Sequence, residues 1–249
     1  MWTYPDIIAH RGGGILAPEN TLAGLQCGLN WGFHAVEFDV MLTKDQIAVL
    51  MHDEFLGRTV QGQGKIAEIM AADLFLMDAG AWFDPAFSDC RVPSFLSVME
   101  FCALHGIWMN VEIKPSHGTD MLTGQLIGQL AEEFYGEISH AVAIPPLFSS
   151  FSVIALQAAR LAAPAIARAL LVERIPVDWQ KQLEELDAVA LHVNHRYLTQ
   201  ELAIAIKQTG IGLCCYTVNS LARADELRSW GVDAFCTDRL DLFAAGFEQ

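Results

Sequence analysis

Positive charge is scarce in this chain. Its 249 residues hold 15 Lys and Arg against 30 Asp and Glu, a formal net charge of −15 at pH 7. A field of that sign repels nucleic acid and anionic membrane surface alike, so neither is expected as a partner. Long apolar runs are missing too. No window approaches the roughly 18 uninterrupted apolar residues of a membrane span, and Met1–Asp6 carries no basic segment ahead of an apolar one. The expectation is a chain with neither a signal peptide nor a transmembrane helix. Glycine-rich phosphate loops of the GxGxxG or Walker type are absent, which speaks against a dinucleotide or P-loop fold. The cysteines, Cys27, Cys90, Cys102, Cys214, Cys215 and Cys236, form no CxxC pair. They read as free thiols of a reducing cytoplasm, not as disulfides or zinc ligands. Cys214 and Cys215 would point to opposite faces of one strand and cannot share a metal.

What is present is a compact apolar chain, 53% hydrophobic and 18% charged, long enough to bury one generous core. Short β-like runs alternate with helical patterns along its length. Strands are expected at 6–10, 35–41, 108–114, 147–150, 165–172, 188–193, 212–218 and 234–237, with helices near 20–31, 94–105, 119–134, 152–163, 178–186, 199–209 and 220–230. Asn20, Ser94, Thr199 and Ser220 suit helix N-caps, and Gly32, Gly106, Gly210 and Gly231 sit where helices should stop. Eight strands in such alternation suggest a single (β/α)8 barrel, a TIM barrel, over residues 1–249. An extra β run at 47–51 leads into an irregular insertion at 53–93, and Pro145-Pro146 places the fourth strand after it. Trp82, Phe83 and Phe87 of the insertion suit either a cover over the barrel mouth or a homodimer contact, and the sequence does not choose.

The chemistry-bearing residues fall at strand ends. His10-Arg11 closes the first strand, Glu37 and Asp39 the second, His52-Asp53 the extra run, and Glu112 and Lys114 the third. Residues i and i+2 share a strand face, so Glu37 pairs with Asp39 and Glu112 with Lys114 on the inward side. Barrel strands are covered by helices outside, and three acids converging inside need a cation between them. Hard oxygen donors suit Mg²⁺ or Ca²⁺. Arg11 and Lys114 offer positive charge to a phosphate, and two separate imidazoles allow a base on one side of phosphorus and an acid on the other. Asn20 and Thr21, with Glu19 beside them, read first as a helix start. His34, His105 and His140 read as surface residues of the opposite end. His117, His192 and Asn194 lie close enough to the mouth to be candidates for substrate contact.

These motifs, His10-Arg11-Gly12-Gly13 with Pro18-Glu19-Asn20-Thr21, Glu37-Phe38-Asp39-Val40, His52-Asp53, the 56–64 stretch and Glu112-Ile113-Lys114-Pro115, stand in an order that resembles the glycerophosphodiester phosphodiesterase family. Ser149-Ser150-Phe151, Tyr216-Thr217-Val218-Asn219 and Thr237-Asp238 extend the resemblance along nearly the whole chain. It implies a TIM barrel with a small insertion after the second strand. It implies Glu37, Asp39 and Glu112 as metal ligands, His10 as general base, His52 as general acid, and Arg11 and Lys114 as phosphate contacts. Phe151, and Tyr216 where the family often has Trp, would line the glycerol side. The implied reaction cleaves glycerophosphodiesters, such as glycerophosphocholine and glycerophosphoethanolamine, to sn-glycerol 3-phosphate and an alcohol. The glycerol 2-hydroxyl attacks first, and water then opens a cyclic phosphate. Similarity to the intracellular bacterial branch favours Mg²⁺ over Ca²⁺ or Mn²⁺, and a cytoplasmic location without stable membrane association. Gln46 departs from the glycine that usually follows Lys-Asp in the family's turn. The rival readings are a barrel phosphodiesterase acting on a lysophospholipid or another diester, and an inactive binding barrel.

Overall fold

A computed structural model describes residues 2–137 and 145–244. Eight parallel strands close on themselves: β1 (Ile7–Ala9), β2 (Ala35–Leu42), β4 (Trp108–Ile113), β5 (Leu147–Ser150), β6 (Ala167–Val172), β7 (Ala190–Asn194), β8 (Gly212–Tyr216) and β9 (Ala234–Thr237). Closure comes from β1, which pairs with β9 at Ile7↔Phe235 and with β2 at Ala9↔Val36. The short β3 (Ala48–Leu50) lies antiparallel on β2 outside the ring. The barrel is therefore the expected one, with its fourth strand starting directly after Pro145-Pro146.

Alternation along each strand sorts the residues. On β2, Val36, Phe38 and Val40 face outward into the main core, where Phe38 meets Phe95 of α3 (Phe95–His105) at 6.1 Å between ring centroids. Ala35 belongs to the interior cluster, as do Trp108, Leu147 and Cys214, whereas Cys215 packs outside. Trp108 at the N-terminal end stacks on Tyr4 at 4.8 Å and closes the barrel floor with aromatic surface. Going up β4, the inward residues change from Trp108 to Asn110 to Glu112. The interior is apolar at its base and acidic at its mouth.

The outer helices between strands obey local rules. Thr21, Ser94, Ser152, Thr199 and Ser220 each cap a helix with the side-chain oxygen, accepting from Gly24, Ser97, Ala155, Leu202 and Arg223 N–H respectively. The cap of α1 (Leu22–Asn30) is thus Thr21 and not Asn20, whose side chain is used elsewhere. Gly106 ends α3 in the left-handed region at φ 63°, a conformation that costs glycine little. The 53–93 segment forms single turns, α2 (Ala71–Leu74) and two isolated antiparallel bridges, Phe55↔Lys65 and Asp78↔Arg91, packed over a small core of Met41, Val49, Val60, Ile66 and Leu74. Helix α4 runs Asp120–Glu137, and the expected surface residue His140 lies outside the described residues. No helix among the described residues is long and apolar enough to cross a membrane.

Candidate active site

The β1–α1 loop opens the site. Arg11 takes φ 52° and Gly14 φ 55°, folding the backbone tightly enough that Arg11 N–H donates to Glu37 Oε2 at 3.1 Å. Asn20 also turns left-handed, at φ 55°. Its Nδ2 donates to Asp39 Oδ2 at 2.9 Å, and its Oδ1 accepts from Asp39 N–H at 3.1 Å. Asn20 is thus a clamp on a buried carboxylate.

Glu37, Asp39 and Glu112 converge as their spacing predicts: each offers a carboxylate oxygen, and these oxygens lie within 4.8 Å of one another. Register explains it, because β2 and β4 pair Asp39↔Glu112. Their electrostatics are unbalanced. Burial opposes ionisation of Asp39, but Lys114 Nζ at 3.1 Å and the Arg11 guanidinium at 3.6 Å overcome it and hold this acid at about 2. Burial, with Asp39 beside it, pushes Glu112 up to about 8. Glu37 is raised well above the usual carboxylate range, again chiefly by burial. Lys114 Nζ also stands 3.8 Å from Glu112 Oε1, but the chain's own cations outweigh burial only at Asp39. A hard divalent cation would supply what is missing, and the all-oxygen donor set of Glu37, Asp39 and Glu112 fits such an ion.

Each of the two histidines leans on an aspartate. His10 Nδ1 lies 2.6 Å from Asp238 Oδ1, and Asn219 Nδ2 donates to the other oxygen of Asp238 at 2.8 Å. His52 Nδ1 lies 2.6 Å from Asp53 Oδ1. A carboxylate at Nδ1 keeps the proton there and leaves Nε2 to work. The two imidazoles are tuned apart. Burial penalises a charged His10, but the Asp238 hydrogen bond and the Glu37 charge outweigh it and raise its pKa. His52 is lowered, first by burial and then by Lys114 and Arg11, against the pull of Asp39.

The glycerophosphoryl diester phosphodiesterase family model matches residues 10–242. The chain belongs to that family. Members similar to it include the glycerophosphodiester phosphodiesterase of Caldanaerobacter subterraneus, 30% identical over 236 residues and 93% of each chain. That of Bacillus subtilis is 28% identical, over 95% of this chain and 84% of its own. An Oleispira antarctica phosphodiesterase, solved in complex with the product sn-glycerol-3-phosphate, superposes with a TM-score of 0.92 at 34% identity, covering 98% of this chain and 97% of that one.

In this member of the family, Phe151 and Tyr216 stand 6.2 Å apart, edge to face, and line one cavity with His10, Glu37 and Glu112. Tyr216 is fixed by its hydroxyl, which donates to Val172 C=O at 2.9 Å. His192 lines the same cavity, but burial pushes its pKa down to about 3 and keeps it neutral. His117 is exposed in the turn before α4, and Asn194 caps a turn by accepting from Arg196 N–H. Arg11 and Lys114, expected at phosphate, lean on Glu19 and Asp39 here, and Arg11 Nε has no hydrogen-bond partner.

Asp53, Arg58, Asn219 and Asp238 all stood inside the motifs read from the sequence, but none of them was given a role there. Asp238 follows the last strand directly, so the rule that strand ends build the mouth could have found it. Arg58 lay in the 56–64 motif, but an irregular loop offers no spacing rule that would give it a role.

Proposed function

We propose that this enzyme hydrolyses glycerophosphodiesters through this cluster, with a divalent ion held by Glu37, Asp39 and Glu112 between two histidines of opposite duty. The observation that carries the reading is the meeting of three carboxylates, two buried and Glu112 half-buried, beside two aspartate-held imidazoles. When bound, the ion neutralises phosphate oxygens and orients the attacking hydroxyl. His10, raised by Asp238, takes the proton of the glycerol 2-hydroxyl at Nε2 as that oxygen attacks phosphorus. Asp238 then faces the imidazolium and stabilises it. His52, lowered and therefore a stronger acid, gives its Nε2 proton to the departing alcohol. The cyclic phosphate left behind is opened by water as the proton transfers run in reverse. Arg11 and Lys114 carry positive charge to the phosphate, which the net −15 of the molecule otherwise repels. Phe151 and Tyr216 give apolar surface to the glycerol carbons.

The ion we assign is Mg²⁺, and the substrates are small diesters such as glycerophosphocholine and glycerophosphoethanolamine. A cytoplasmic enzyme agrees with six free cysteines. The test is release of glycerol 3-phosphate from both substrates, with added Mg²⁺ and after chelation. Release from both that stops on chelation is the expected result. Release that survives thorough chelation removes the ion from the mechanism, and no turnover with any divalent ion moves the substrate to a lipid-linked diester.

A further inference from the structure

Arg58 lies in the insertion, outside the barrel, yet its guanidinium reaches both sides of the site. Nε donates to Asp53 Oδ2 at 2.6 Å, Nη1 to Glu19 Oε2 at 2.7 Å and Nη2 to Glu19 Oε1 at 2.8 Å. Asp53 holds His52 Nδ1 with its other oxygen, and Glu19 Oε1 also accepts from Arg11 Nη1 at 2.7 Å. An unbroken chain therefore runs Arg11–Glu19–Arg58–Asp53–His52, through the β1–α1 loop, the insertion and the turn after β3. Charges alternate along it, two guanidinium groups with two carboxylates.

We infer that Arg58 is a positioning residue for proton transfer to the leaving alcohol, acting through Asp53 to set the tautomer and direction of His52. The proposal rests on the reading of His52 as the acid. Asp53 follows His52 in sequence and is half-exposed, and its second oxygen is held by Arg58 Nε. Without Arg58 that carboxylate is free to rotate into water and to release Nδ1–H. The other edge of the same guanidinium forms a two-point contact with Glu19, so the fork that orients Asp53 is itself anchored at the loop carrying Arg11. A planar fork can serve two carboxylates at once. A lysine ammonium, a single point of charge, cannot reproduce that geometry.

The leaving group offers the test. An alkoxide needs a proton as it departs, whereas p-nitrophenolate does not. Single-turnover release of choline from glycerophosphocholine and of p-nitrophenolate from the p-nitrophenyl ester of glycerol 3-phosphate, which reads bond cleavage before water opens the shared cyclic phosphate, is compared for Arg58→Gln, Arg58→Lys, Asp53→Asn and His52→Ala, all saturated with Mg²⁺. Arg58→Gln is expected to lower that rate on glycerophosphocholine about 10–100-fold, part of the roughly 10²–10⁴-fold that a positioned acid supplies. On the nitrophenyl ester the loss stays within about threefold. Arg58→Lys falls between, and Arg58→Gln with Asp53→Asn is no worse than either alone, because both cut one chain. Equal loss on the two substrates, or loss on neither, overturns the proposal if His52→Ala still shows the split. A His52→Ala enzyme equally impaired on both overturns the acid assignment, and the proposal with it. Should Arg58→Gln fail to fold, the isosteric Asp53→Asn carries the same comparison.

Discussion

A histidine is a useful base only if something decides which nitrogen carries the proton, and in the mechanism proposed for His10 that partner is Asp238, whose Oδ1 lies at Nδ1. Asp238→Asn keeps shape and loses that decision, since an amide can present Nδ2 to the ring. Loss of kcat by about 10²–10⁴-fold with little change in KM is the expected outcome, measured by steady-state kinetics beside an unaltered melting curve. Glu112 makes a second prediction. Its pKa in the fold is about 8, above the ordinary value of 4.5, so the folded state binds this proton more tightly than the unfolded chain does. Stability from that source is complete below pH 4.5 and drains away as pH rises through about 8. The metal-free enzyme should therefore melt several degrees lower at pH 8.5 than at pH 5.5, Mg²⁺ should restore most at the higher pH, and Glu112→Gln should flatten the trend. Titration calorimetry near pH 7 should register proton release on Mg²⁺ binding. Glu37, Asp39 and Glu112 were legible in the sequence because i,i+2 spacing on a barrel strand leaves them one face. Asn20 was misread because asparagine before a helical run is an ordinary cap, and only the fold reveals that Asp39 lies within its reach.

Elements hold these residues to fractions of an ångström through backbone contacts that tolerate no side chain. A Cβ on Gly14 would lie 2.3 Å from the carbonyl oxygen of Asp238, and Gly14 already stands at φ 55°. Gly14→Ala must displace the loop that carries Asp238. We expect a loss of about 1–3 kcal/mol in stability and a further loss of activity per folded molecule. Gly106→Ala is the control: it meets the same kind of φ, 63°, with nothing within 4 Å, so only the melting temperature should fall. The alternation of runs foretold which elements exist, and turn geometry moved their edges. Residues 188–189 read as strand, but Ala188 N–H closes the end of helix α6 (Trp179–Leu186) on Leu183 C=O, and β7 begins only at Ala190. Ile166 N–H likewise turns back to Ala163 C=O and delays β6 to Ala167. Arg58 stood in the 56–64 motif but its role was not legible: an irregular insertion has no period, and its partners lie 5 and 39 residues away.

The molecule as a whole works against its own substrate. A net charge of −15 repels an anionic diester, and the cations at the mouth act only at short range. Salt screens the first effect more than the second, because the Debye length falls from about 30 Å at 0.01 M to about 8 Å at 0.15 M. kcat/KM for glycerophosphoglycerol, which carries net negative charge, should rise over that range, while zwitterionic glycerophosphocholine should change little. An unchanged ratio between the two would show that the global field is already neutralised at the mouth. Closure of the ring has its own bearing. His10 stands just after the first strand and Asp238 just after the last, and β1 is joined to both β2 and β9. A chain emerging from the ribosome carries Glu37, Asp39, His52 and Glu112 long before it carries the partner of His10. Until that last strand joins β1, His10 has no aspartate at its ring, so on the proposed mechanism the first turnover waits for the final strand.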